Sequence, residues 1–229
     1  MLASCLPYGI SAFPKSNEIS QNSILMVEGY AFSQGIIVEL NKKYPIYLQS
    51  GNHRVKLSIK ETCEGGFSLT QAMLKIEGEL IVGKKYDLKV DNLTKDEREM
   101  HDFSGISWTV KKDIDTTLPI WNKQPKHAEN TFVMYGCGPD VYASFEMEIA
   151  DDSETLVKTE LIDLKTNEKR IYFLQHSGSL LNIGHGMCAG AFNFKNDRKY
   201  KARFDIVDAS GNTLNKWTDW VQFESPFLS

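Results

Sequence analysis

Val141-Tyr142-Ala143-Ser144-Phe145-Glu146-Met147-Glu148-Ile149 alternates without a break. Val141, Ala143, Phe145, Met147 and Ile149 fall on one side of an extended chain, and Tyr142, Ser144, Glu146 and Glu148 on the other. A two-residue period held over this length is that of a strand with one face on a core and one in water. His53 to Lys60 repeats it, with Val55, Leu57 and Ile59 inward, and Tyr86 to Asp91 and Tyr200 to Asp205 do so again. No window carries a 3.6-residue apolar stripe over three turns. The nearest, Gln34 to Tyr44, is short and stops at Pro45, which leaves room for one helical turn. Turn residues such as Gly65-Gly66, Asp91-Asn92, Asp151-Asp152-Ser153, Asn196-Asp197 and Ser210-Gly211-Asn212 cut the chain at intervals that suit a sandwich or barrel. The chain reads as all-β, and alternating βαβ units are excluded.

Gly83-Lys84-Lys85-Tyr86-Asp87-Leu88-Lys89-Val90 and Asp197-Arg198-Lys199-Tyr200-Lys201-Ala202-Arg203-Phe204 share one design. Each opens on a polar turn, places a Tyr first on the inward face, then alternates apolar with charged residues. In immunoglobulin-like sandwiches a Tyr near the start of a late strand turns its hydroxyl back to the backbone, so Tyr86 and Tyr200 point to one sandwich each. Asp113 to Glu129, with Pro119 and Pro125, reads as a linker and first edge strand. The expectation is two tandem immunoglobulin-like β-sandwiches, residues 1–112 with an N-terminal arm and residues 113–229, against a single large sandwich.

Phe13-Pro14 leading to Asn22-Ser23-Ile24, followed by Leu80-x-x-Gly83-x-x-Tyr86-x-Leu88-x-Val90, resembles the bacterial immunoglobulin-like domains of S-layer and copper-resistance-C type. The second half, ending Asp208-Ala209-Ser210-Gly211-Asn212, is similar to the same group more loosely. The resemblance implies a fold; it implies no reaction.

Composition narrows the function classes. With 41% hydrophobic, 24% charged and 11% aromatic residues in 229, this is a globular chain. The net charge of −4 is spread over both halves, so neither offers the basic excess that nucleic acid requires. Ile24 to Val27 is the longest clean apolar run, far short of the ~20 residues of a membrane helix.

Four cysteines, Cys5, Cys63, Cys137 and Cys188, lack zinc-ligand spacing. Pairing Cys137 with Cys188 would close a loop of about 50 residues inside the second half. Pairing Cys5 with Cys63 would tie the N-terminal arm to the first sandwich, and four reduced thiols is the alternative. Leu2-Ala3-Ser4-Cys5 also reads like the end of a lipoprotein signal, without the apolar core of one. Lipidation of Cys5 and a disulfide at Cys5 are mutually exclusive.

Hydrolase elbows, phosphate loops and zinc helices are absent, and the five histidines are scattered. His185-Gly186-Met187-Cys188 gathers the soft ligands that copper favours, with a packed turn as the alternative. Asp113-x-Asp115 and Asp151-Asp152-Ser153-Glu154 offer oxygen ligands for calcium, or are simply solvated turns. Trp121, Trp217 and Trp220 are candidates for stacking on a sugar or for a protein contact, with burial under the neighbouring domain as the alternative. Trp217 and Trp220, three apart, fall on opposite sides if their segment is a strand. The reading that follows is a non-catalytic extracytoplasmic protein of adhesion or envelope assembly, without cofactor, whose partner is a protein or a cell-surface glycan. A periplasmic copper carrier and a carbohydrate-binding module are the alternatives.

Overall fold

The computed structural model describes residues 5–227. Its strands are β1 (Tyr8–Phe13), β2 (Glu18–Ile19), β3 (Ile24–Ala31), β4 (Ile46–Ser50), β5 (His53–Glu64), β6 (Leu69–Glu77), β7 (Lys85–Val90), β8 (Ser107–Val110), β9 (Ile120–Tyr135), β10 (Gly138–Ala150), β11 (Thr155–Asp163), β12 (Lys169–Leu174), β13 (Leu180–His185), β14 (Lys199–Asp208) and β15 (Val221–Glu224). Two short helices interrupt them, α1 (Gln34–Val38) and α2 (Lys95–Met100). The chain is thus mostly β. In β10 Val141, Ala143, Phe145 and Met147 are buried while Glu146 and Glu148 face water, but Ser144, expected on the wet face, is buried too, its hydroxyl bonded to Asn182 of β13.

Strands β1 to β8 form one sheet in the order β1-β3-β6-β5-β4-β7-β8-β2, antiparallel except where β2 meets β8. Long β5 carries the continuity. Its first residues pair with β4, the remainder with β6, and a bulge between Ile59 and Glu61 lets the strand bend. The sheet thereby turns onto itself, and Leu25, Val27, Ala72 and Leu74 from one part share a core with Leu48, Tyr86, Leu88 and Trp108 from the other. The remaining strands make a three-stranded sheet, β13-β10-β9, and a four-stranded one, β12-β11-β14-β15. Phe145 meets Phe204 and Phe223 between these two sheets.

The apolar run Ile24-Leu25-Met26-Val27 is where the halves of the chain meet. Leu25 and Val27 point into the first core, Ile24 and Met26 into the second, as does Met73 of β6. A strand buried on both faces has no polar side to alternate with, which explains the run. Polar groups register the contact. Gln71, 1% exposed, accepts from the amide of Phe173 (2.8 Å) and donates to its carbonyl (3.1 Å), completing the outer edge of β12. Tyr172 Oη donates to Glu28 Oε2 at 2.7 Å, and Arg170 Nη1 donates to the carbonyls of Glu64 and Gly65. At Gly66 the backbones come so close that a Cβ would lie 2.6 Å from Asn193 N.

The disulfide pairing differs from the expectation. Cys5 is bonded to Cys188, 183 residues away, so Cys188 does not bridge to Cys137, nor Cys5 to Cys63. The route to this pairing runs across the halves. Pro7 O accepts from Phe32 N, Ala31 N donates to Ser68 O, and Phe67 bridges Gly190, two residues beyond Cys188. Cys63 is a buried thiol, pushed up to about 12 by burial and by the charge of Glu61.

Candidate functional site

The aromatic candidates separate. Residues 211–220 belong to no strand, so the expected opposite placement of Trp217 and Trp220 gives way. Both indoles stack on Arg203 of β14, whose guanidinium carbon lies 4.7 Å from one ring and 4.6 Å from the other. Lys201 covers Trp220 at 4.5 Å, and Lys158 lies between Trp217 at 6.0 Å and Phe173 at 5.2 Å. The row therefore reads Phe173, Lys158, Trp217, Arg203, Trp220, Lys201, each indole flanked by two cations. Beneath it Glu160, its side chain 2% exposed, takes Arg203 Nε at 2.6 Å and Lys169 Nζ at 2.8 Å. Burial pushes the Glu160 carboxyl up, but the bonds and charges of Lys169 and Arg203 outweigh it and hold the group below the usual carboxylate range. The indoles are thus built into the sheet surface by contacts worth about 0.5–1 kcal/mol each. Both indoles remain partly exposed. Trp121 stands apart on β9, packed against the second core beside Ile149, with its Nε1 buried and unpartnered.

The copper set is incomplete. Cys188 is no longer a thiol, His185 is 7% exposed with Nδ1 directed at Gly186 O and its ring against Phe67, and the Met187 amide is held by Asp140. Tyr86 Oη accepts the amide of Ile81 at 3.1 Å and Tyr200 Oη that of Lys195 at 2.9 Å, five residues upstream in each case.

Among the described residues two aliphatic hydroxyls pair with an imidazole, Ser33 Oγ with His101 Nδ1 at 2.8 Å and Thr155 Oγ1 with His176 Nε2 at 2.9 Å, and the latter ring also meets Gly178 O through Nδ1. Ser33 is fully buried and already accepts from Gly9 N, and burial holds His101 below its usual value. The Ser33 and His101 pair ties the β1 start and α1 to the end of α2.

The surface that structure adds is the β9 and β10 ribbon. Strand β9 lies at the edge of its sheet, from Ile120 to Tyr135, with its outer side unpaired among the described residues. Its lower half carries Lys123, Pro125 and Lys126, the residue types that deter edge pairing. Its upper half, Thr131-Phe132-Val133-Met134-Tyr135, carries no charge and no proline. Val133, Met134 and Tyr135 are 40%, 64% and 50% exposed at the tip, beside the Gly136-Cys137 turn. The segment Asp113 to Glu129, read from its prolines and polar residues as a linker and first edge strand, ends inside β9 and stops short of this tip. The uncharged run itself was the available signal.

No protein-family model matches the chain, and neither does any curated protein sequence. Among solved structures, the chain is similar to type I pullulanase from Bacillus subtilis str. 168 complexed with maltose. The identity is 11% and the TM-score 0.26, over 97% of this chain and 25% of that one. The N-terminal part of the bacterial S-layer protein SbsC matches at 12% identity and TM-score 0.28, covering 96% of this chain and 44% of that one. The tandem Ig repeats of Dlar match at 6% identity and TM-score 0.24, covering 94% and 96%. The chain spans about a quarter of the pullulanases it resembles. No helix among the described residues is long and apolar enough to cross a membrane.

Proposed function

We propose that this is a non-catalytic, extracytoplasmic adhesion or envelope-assembly protein of two immunoglobulin-like units, residues 1–112 and 113–229, which holds a protein partner on the β9 and β10 ribbon. The observation that carries the reading is the uncharged, solvent-facing end of an edge strand at Val133, Met134 and Tyr135. An open edge of this kind is a liability that chains remove unless something pairs with it, and strand addition is a common way for a partner to do so. The paired tyrosine bonds support two units of one design. The bond between Cys5 and Cys188 favours an oxidising compartment.

The test is retention of purified protein on envelope from the producing cell. Wild type is retained, and a Met134→Glu, Tyr135→Ser double variant with unchanged circular dichroism is not. Protease treatment of the envelope abolishes retention and periodate treatment leaves it intact. Retention that survives the tip substitutions but is lost with Trp217→Ala, or to periodate, replaces the reading with a glycan-binding one.

A further inference from the structure

Three carboxylates that are remote in sequence meet where the halves join. Asp115 comes from the segment between β8 and β9, Asp151 from the β10 to β11 turn, and Asp208 from the end of β14. One oxygen of each lies within 4.8 Å of the others. No Lys, Arg or His forms an ion pair with any of the three among the described residues, although Asp208 is fully buried. Like charges this close, with no cation among them, oppose each other and the fold.

A second observation concerns what the oxygens lack. Asp151 Oδ1 is occupied by the amide and hydroxyl of Ser153, both at 2.7 Å, but Asp151 Oδ2 is buried with no hydrogen-bond partner. Ser210, 8% exposed, has a buried Oγ in the same condition, and its amide donates to Asp208 Oδ1. Buried acceptors are normally satisfied, and orphans of this kind point to an unseen group. Of the three orphaned side-chain atoms among the described residues, one is an oxygen of the cluster itself and a second belongs to the residue whose amide holds Asp208.

We propose that Asp115, Asp151 and Asp208 bind a calcium ion that locks the connecting segment to both halves. Hard oxygen donors suit calcium, which takes six to eight ligands and accepts an irregular set completed by water. Magnesium demands a near-ideal octahedron, which three loops of separate origin do not supply. The site is wired to its surroundings. The carbonyl of Asp115 accepts from the side chains of Asn22 and Asn212, its amide donates to Asn22, and Gln21 N donates to Asp113 O. A cation there fixes the entry to β3, the connecting segment and the end of β14 together.

The experiment uses the full chain, freed of metal with a chelator, and calcium chloride as the probe. With a Kd in the range usual for extracellular calcium modules, about 0.1 mM, 10 mM calcium raises the melting temperature by roughly 5–11 °C. It also slows Lys-C cleavage at the exposed Lys111 and Lys112. Asp151→Asn and Asp115→Asn each abolish both effects, and in chelator Asp151→Asn melts no lower than wild type, because a repulsion is removed. No shift in wild type up to 10 mM, or the same shift in wild type and variants, overturns the proposal. An equal shift with magnesium overturns the assignment to calcium. The outcome is independent of the ribbon, since none of these groups lies on it.

Discussion

Gln71→Leu measures how far the two halves depend on one another. The side chain is 1% exposed, and its amide closes both main-chain groups of Phe173 across a sequence distance of 102 residues. Leucine fills nearly the same volume, so no cavity term arises, but the Phe173 N–H and C=O are left facing hydrocarbon. Each orphaned group costs about 1–3 kcal/mol, and allowing for partial rearrangement the pair costs about 3 kcal/mol. For a chain of this size that lowers the melting temperature by roughly 6–12 °C. Calorimetry of wild type and variant reads the shift directly, with Lys75→Ala, an exposed position on the same strand, as the control that leaves it unmoved. A Gln71→Leu protein that melts within about 1 °C of wild type refutes the claim that this glutamine holds the halves in register.

Reducing the bond between Cys5 and Cys188 releases a loop of 183 residues, and its loss lowers stability by about 2–5 kcal/mol, read as a fall in the denaturant midpoint with dithiothreitol. Burial pushes the Glu28 carboxyl up, against the hydrogen bond from Tyr172. A carboxyl raised in the folded state contributes its stability below the unfolded value and loses it as pH rises through the folded one. Glu28→Gln, which still accepts from Tyr172, is therefore more stable than wild type at pH 7, with the difference vanishing near pH 4 in pH-dependent denaturation. Tyr200→Phe leaves the Lys195 amide without its acceptor and costs about 1–2 kcal/mol in the same denaturation assay.

Strand character was legible because β10, β5, β7 and β14 each bury one face, so the two-residue period survives in their sequences. Ile24 to Val27 hid its meaning for the opposite reason, both of its faces being buried by different halves. Helix α2 was missed although Thr94-Lys95-Asp96-Glu97 spells a capping box, with Thr94 Oγ1 accepting from Glu97 N and Glu97 reaching back to Thr94 N. One turn of exposed helix has no apolar stripe to show. The cysteine pairing and the meeting of Asp115, Asp151 and Asp208 are products of how the halves dock, and no local pattern records them. Trp217 and Trp220 misled because the strand rule was applied to a segment that forms no ladder.

The proposed role stands on the ribbon tip, and photo-crosslinking addresses it without knowing the partner beforehand. A benzoylphenylalanine placed at Tyr135 and, separately, at Trp220 is irradiated in the presence of envelope from the producing cell. The account predicts a discrete protein adduct from position 135 that is lost when Met134→Glu is added, and none from position 220. An adduct from position 220 alone, or adducts from 135 indifferent to Met134→Glu, contradicts it.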